Sequence, residues 1–354
     1  LQLTPAPLFL RGSNPQKLVD TLKKAEVIGA GSNVKISFSP TLDGEVKAKI
    51  VNLTGRDQTG KIAFNGKNVD FKVAGKQTET ITMPGRIKPE SGKMYRWNTP
   101  YQLLQPKAPP MSLQWNMDYF YVPRVNGKPD WNKVPGIKMT NMYRPVRKMK
   151  QTPGGHKGDI SATFKAAWDP QNFYLRVEAE DDIFNVNEKK FWTSSASQKS
   201  MLYMLDGCLE VYFDCKANGR LRKGGYDLDD YRYDFCVGNP EGKSGPGKVH
   251  RLREVYIEYG GGAGIFPSKE QAAAGIKCEF TRVSKNKYIY EITFAQKYLA
   301  PLVLKKGSIA GFALYLHDRM DDGTFGAKGL SLATEAGSHC DFKTQLWPLM
   351  ILSE

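Results

Sequence analysis

Three groups of side chains in this sequence could do chemistry. The first centres on Glu210. In Leu209–Asp214, the residues Leu209, Val211 and Phe213 alternate with Glu210, Tyr212 and Asp214. A carboxylate on a strand face beside aromatic rings can accept hydrogen bonds from a ligand's hydroxyls. It can equally form an ion pair with Arg232 on a neighbouring strand. The second group is Trp192, Tyr203 and Trp347. Each offers a flat apolar ring for stacking, although packing in a core is the commoner fate of a Trp. The third is a crowd of carboxylates at strand ends: Asp181, Asp182, Asp206, Asp214, Asp227, Asp229 and Asp230. Hard oxygen ligands on loops suit Ca²⁺, and Asp181, Asp182, Asp227 and Asp229 are the ligands expected of a structural calcium. No EF-hand spacing is present, and solvated or Arg-paired carboxylates are the competing reading.

Other letters point away from catalysis. His339-Cys340-Asp341 holds a nucleophile and a base, but adjacent residues of an extended chain face opposite ways. Gly260-Gly261-Gly262 lacks the Lys and following helix of a phosphate loop. Met201, Met204 and His317 have the chemistry of axial haem ligands, yet nothing in the sequence pairs them. The expectation is a protein without enzymatic activity.

The elements that would position these groups are strands. Phe173, Leu175, Val177 and Ala179 alternate with Tyr174, Arg176, Glu178 and Glu180, the period of a half-buried strand. Trp168-Asp169-Pro170-Gln171-Asn172 precedes it as a turn. Further strands are expected at 34–38, 46–51, 61–64, 69–73, 78–83, 112–122, 160–167, 209–214, 231–237, 254–259, 276–283, 287–294, 309–318 and 347–352. Gln16 to Ala25, behind Asn14 and Pro15, reads as a helix, and Gln296 to Leu299 as a short helical turn. The stretch from Gly92 to Pro110, rich in Pro, Lys and polar residues, is the expected boundary. The fold class is therefore all-β: two β-sandwich domains with a short N-terminal helix, divided as 1–107 and 108–354.

Composition is that of a globular protein, with 40% hydrophobic and 25% charged residues among 354. No apolar run approaches the roughly 20 residues of a spanning helix. The opening LQLTPAPLFLRG lacks the basic and apolar regions of a signal peptide, so an exported protein would here be a mature chain. The formal charge of +15 is spread along the chain, densest between Lys138 and Lys150. Such a surface suits an anionic polymer, or is simply solvated. Cys208, Cys215, Cys236, Cys278 and Cys340 form no CxxC. Their odd number excludes complete internal pairing. Cys208 and Cys236, on strands that could be neighbours, are either a disulfide or buried thiols. Asn52-Leu53-Thr54 is a glycosylation sequon by letter.

The order of several pieces resembles the family 9 carbohydrate-binding modules and their DOMON-like relatives. These pieces are Asn126-Gly127-Lys128-Pro129-Asp130-Trp131, Ala167 to Leu175, Asp181-Asp182, Asp206 to Asp214, Tyr226 to Tyr233, Tyr288 to Ile292, and Ile309 to Phe312 with Asp318. The resemblance covers about residues 122–354. It implies a sandwich that binds sugar non-catalytically, with two rings clamping the sugar and charged groups holding its hydroxyls. The clamp positions fall near Tyr203 (with Trp192 upstream) and near Cys340 (with Trp347 nearest). The acid of the hydroxyl network matches Glu210. The network's Arg and Asn fall at about Asp234 and Cys236, with Arg232 adjacent. The preceding residues resemble, by pattern alone, the immunoglobulin-like accessory domains of secreted bacterial enzymes.

Two functions are expected from this. One is polysaccharide binding by an extracellular or cell-surface protein, with an anionic glycan suggested by the charge. The other keeps the sandwich only as a scaffold, in a structural or assembly subunit of a surface layer, filament or complex.

Overall fold

A computed structural model describes residues 33–86, 89–106, 110–143, 160–181, 207–218, 229–237, 239, 241–251, 275–318, 328–332 and 344–354. The expected helix at 16–25, the strand at 254–259 and the residues Asp182, Trp192, Tyr203 and Asp227 lie outside the described residues. The chain divides into two compact units. The first takes residues up to Lys88 together with Asn98–Asn116, and the second takes Pro89–Trp97 and Met117–Glu354.

The first unit opens with β1 (Val34–Pro40), β2 (Glu45–Asn52), β3 (Gln58–Phe64), β4 (Lys67–Val73) and β5 (Thr78–Arg86). β6 (Tyr95–Leu104) and β7 (Met111–Val122) fall partly in each unit. One sheet is β1-β2-β5, and β6-β3-β4 are neighbours in another. Alternation drives this: Val46, Ala48 and Ile50 are buried while Lys49 between them is exposed. Phe38 of β1 stacks on Phe64 of β3 at 5.2 Å, closing a small sandwich. The sequon Asn52 is buried here. Its amide donates to the carbonyls of Val73 (3.1 Å) and Ala74 (2.9 Å) and accepts from the Thr54 backbone N–H (2.9 Å). That side chain knits two turns together and is not presented for modification.

The second unit is a larger β-sandwich. Its strands continue as β8 (Ile137–Met139), β9 (Asn141–Tyr143), β10 (Ser161–Trp168), β11 (Asn172–Glu180), β12 (Leu209–Asp214) and β13 (Asp230–Cys236). There follow β14 (Gly245–Pro246), β15 (Lys248–Arg251), β16 (Ile276–Arg282), β17 (Lys287–Ala295), β18 (Ile309–Asp318), β19 (Lys328–Ser331) and β20 (Leu349–Leu352). One sheet runs β14-β16-β17-β11-β10-β8. The facing sheet runs β15-β13-β12-β18-β20-β7, with β19 pairing both β18 and β9. Among the described strand pairs of this unit, pairing is antiparallel except between β20 and β7, and isolated parallel bridges join Ser91 to Tyr121 and Arg124 to Trp168. Phe120, Phe164, Phe173, Phe213, Phe294 and Phe312 interleave between the sheets. Their neighbouring centroids lie 5.2–6.2 Å apart, mostly edge to face.

The Asp-Pro turn forms as its residue types demand. Asp169 Oδ1 accepts from the backbone N–H groups of Gln171 (2.7 Å) and Asn172 (2.8 Å), and Asp169 Oδ2 accepts from the Tyr174 hydroxyl at 2.7 Å. Trp168 beside it donates to the carbonyls of Val122 and Ser353, tying the turn to β7 and to the residue that follows Leu352. The stretch expected to be a boundary contains β6, a ten-residue strand whose Leu104 end pairs with Lys61 of β3. Its single Pro100 and the weak alternation around it gave a linker-like reading.

Candidate functional site

The site candidates converge on the outer face of β12, β13 and β18. Leu209, Val211 and Phe213 of β12 enter the core between the sheets. Period two therefore turns Glu210, Tyr212 and Asp214 to the opposite face. In β18 the same logic sends Phe312, Leu314 and Leu316 inward and Ala313, Tyr315 and His317 outward. The ladder sets Glu210 between Asp234 of β13 and Tyr315 of β18, and Tyr212 between Arg232 and Ala313.

Glu210, Arg232 and Asp234 form one buried network, being 1%, 7% and 0% exposed. Arg232 donates from Nη2 to Glu210 Oε1 at 2.5 Å and from Nε to Asp234 Oδ1 at 2.9 Å. The Tyr212 hydroxyl donates to the other Glu210 oxygen. His317 Nε2 lies 2.8 Å from Glu210 Oε1, and the Arg232 guanidinium sits 5.7 Å over the Tyr212 ring. Buried charges are tolerable only when paired and hydrogen-bonded in this way. The balance is acidic, with two carboxylates against one guanidinium. Burial, reinforced by the negative charge of Glu210, pushes the Asp234 carboxyl up to about 6, and the Arg232 charge opposes the rise.

Trp347 belongs to the same face. It packs on Tyr212 at 5.3 Å between centroids, in a cluster with Ala313, Tyr315 and Leu346. A stacking platform needs an open ring face, and Trp347 is 1% exposed, so here it packs and braces Tyr212. His317 completes the network at its most accessible point, with 13% of its side chain exposed. In the sequence, His317 stands out only for the chemistry of a haem ligand. The alternation of β18 did point it away from the core, but the adjacency of β18 to β12 was not visible in the sequence.

A second acidic group sits at the other end of β12. The carboxylates of Asp214, Asp229 and Asp230 are buried and lie within 4.8 Å of one another. Asp214 pairs directly with Asp230 in the ladder, and with Gly311 on its other side. A Cβ at Gly311 would come within 2.9 Å of Asp214 Cβ, so glycine makes room for the carboxylate. The Asn218 N–H donates to Asp214 Oδ1 at 3.1 Å, and Lys216 Nζ reaches Asp229 Oδ1 at 3.2 Å. Of the expected calcium ligands, Asp229 is in this group. Asp181 is not; it closes β11, where its N–H donates to Asn286.

A family model described as carbohydrate family 9 binding domain-like matches residues 131–347, more than half of the chain. A search of curated proteins found no match. Among solved structures, a carbohydrate binding module family 9 from Caldicellulosiruptor kristjanssonii in complex with cellotriose is 15% identical. It covers 66% of this chain and 92% of its own, with a TM-score of 0.43. The same organism's module in complex with glucose gives 15%, 66%, 95% and 0.43. A protein from Bacteroides uniformis, described as a putative carbohydrate-binding protein, is 11% identical over 66% of this chain and 99% of its own, with a TM-score of 0.34. By the extent of the family match, this chain belongs to the carbohydrate family 9 binding domain-like proteins.

Proposed function

We propose that the second unit binds a neutral, hydroxyl-rich sugar without catalysing its conversion, on the outer face of β12, β13 and β18. The observation that carries this reading is the Glu210–Arg232–Asp234–His317 network within the family-matched residues. Sugar hydroxyls are held by fixed donors and acceptors, and this network is already oriented before any ligand arrives. His317, at the rim, is the group in reach of a ligand, and Glu210 behind it fixes the ring's orientation. The local excess of carboxylate disfavours an anionic sugar at this point. The +15 charge of the whole chain acts only over the roughly 8–10 Å of ionic screening, so it would attract an acidic polymer elsewhere on the surface. Isothermal titration against cellotriose, glucose and a polyuronate tests the reading. Saturable heat is expected with a neutral sugar. His317→Gln should weaken that binding at least tenfold, about the worth of one hydrogen bond to a charged network, in a variant that still unfolds cooperatively.

We also propose a structural Ca²⁺ at Asp214, Asp229 and Asp230. Three buried carboxylates within 4.8 Å repel one another strongly, and Lys216 offsets one charge. A divalent ion held by Asp214, Asp229 and Asp230 would neutralise the remainder and brace the loop after β12. Chelation with EGTA is expected to lower the melting temperature by several degrees, restored by excess Ca²⁺. An identical melting curve with and without chelator contradicts this assignment.

A further inference from the structure

Neither the proposed sugar site nor the proposed calcium site uses Cys208 and Cys236. The β12–β13 ladder runs antiparallel with Leu209 opposite Phe235, and one step further sets Cys208 opposite Cys236. Their Sγ atoms are 2.9 Å apart, thiol to thiol, and the residues are 0% and 1% exposed. Directly opposed residues of an antiparallel pair have Cβ atoms about 4.5–5.5 Å apart, near the separation a disulfide spans. Bond formation needs the sulfurs to approach by less than about one ångström, toward an S–S length of about 2 Å.

We propose that Cys208 and Cys236 are an oxidisable pair whose disulfide clamps β12 to β13. The two positions are 28 residues apart, and the loop they close contains Glu210, Arg232 and Asp234 as well as Asp214, Asp229 and Asp230. One covalent bond therefore encloses both polar groups of this sheet and holds the register that makes them. The chemistry is thiol–disulfide exchange with a low-molecular-weight disulfide. One cysteine thiolate attacks it and expels one thiol, forming a mixed disulfide. The second thiolate attacks the protein sulfur of that mixed disulfide and expels the other thiol. Two protein thiols are oxidised, one small disulfide is reduced to two thiols, and no other reactant is needed. Burial, then the neighbouring Cys236 sulfur and the charges of Asp234 and Glu210, raises the Cys208 thiol well above its ordinary range, so exchange is slow once the strands are paired. The bond forms during folding and is afterwards shielded from reductants.

The competing partner is Cys278. A Cβ at Gly247 would lie 2.5 Å from Cys278 Sγ and 3.1 Å from the Cys236 carbonyl, which places Cys278 beside the Cys236 backbone. The test is to refold the wild-type protein in a mixture of reduced and oxidised glutathione, alkylate under denaturing conditions, digest and map the cross-links by mass spectrometry. A linked peptide pair carrying Cys208 and Cys236 is expected. That form should melt about 5 °C above the same protein refolded in a phosphine reductant, the stabilisation a 28-residue loop closure gives in a chain of this size. Full alkylation of both cysteines, or a link from Cys236 to Cys278 or Cys340, overturns the proposal. So does a Cys208–Cys236 link that leaves the melting temperature unchanged. The wild-type chain suffices, so a Cys→Ser variant that fails to fold does not obscure the result.

Discussion

Arg232→Met is expected to lower unfolding stability by about 3–5 kcal/mol, the usual cost of removing one member of a buried ion network. The guanidinium is the only cation bonded to both Glu210 and Asp234 among the contacts described, at 2.5 and 2.9 Å. Without it, two carboxylates that are 1% and 0% exposed lose their shared counter-charge and must take up protons or admit water. Methionine keeps much of the side-chain length beside Tyr212, so the loss reports the charge more than a cavity. Urea unfolding of wild type and variant checks this by the shift of midpoint at constant slope. Adding Glu210→Gln and Asp234→Asn to Arg232→Met should recover most of the loss, because an uncharged cluster has no uncompensated ion. A single-variant loss below about 1 kcal/mol would show that the network does not hold this face together.

The second large effect concerns pH. Asp234 has its carboxyl raised from 3.8 to about 6 by burial and by the charge of Glu210, against the pull of Arg232. Between these values the folded protein holds a proton that the unfolded chain has released. Stability from this group is thus fully present below about pH 4 and is lost as pH rises through about 6. The amount is about 3 kcal/mol, at 1.36 kcal/mol for each pH unit of difference. Other carboxylates contribute slopes of either sign, so the informative quantity is wild type minus Asp234→Asn. That difference should fall by about 2–2.5 kcal/mol from pH 4 to 7, because part of the full amount is already lost at pH 4. A difference that stays flat, or rises, contradicts the assignment.

Much of the fold was legible because one residue pattern governs one strand. The alternation of Phe173, Leu175, Val177 and Ala179 in β11, and of Leu209, Val211 and Phe213 in β12, marks which side chains enter the core, and the structure buries all of them. Short strands escaped this reading. β8 and β9 have three residues each and β19 has four, too few for a period to declare itself. β6 escaped because Pro100 and its polar neighbours look like a linker when its partner β3 is unknown.

The site was legible only as far as single strands reach. Glu210 and Arg232 could be paired on paper because β12 and β13 follow one another and adjacent strands commonly pair. His317 joins them through the pairing of β12 with β18, a neighbour nearly a hundred residues further along that no local pattern announces. Asp214 and Asp230 meet through a register that places them directly opposite, while Asp181, equally acidic and equally at a strand end, belongs to the other sheet. Residue type identified the chemistry, and ladder pairing decided which residues share it. Trp347 shows the remaining gap: its ring was a reasonable platform until its packing on Tyr212 fixed it as buried.

The measurement that bears most directly on the central claim is isothermal titration of the intact chain with neutral oligosaccharides, cellotriose first, alongside glucose and a polyuronate. The account predicts saturable heat with a neutral sugar and at least tenfold weaker binding by a His317→Gln variant that still unfolds cooperatively. Absence of heat with every glycan, or wild-type affinity in the His317→Gln variant, would contradict it.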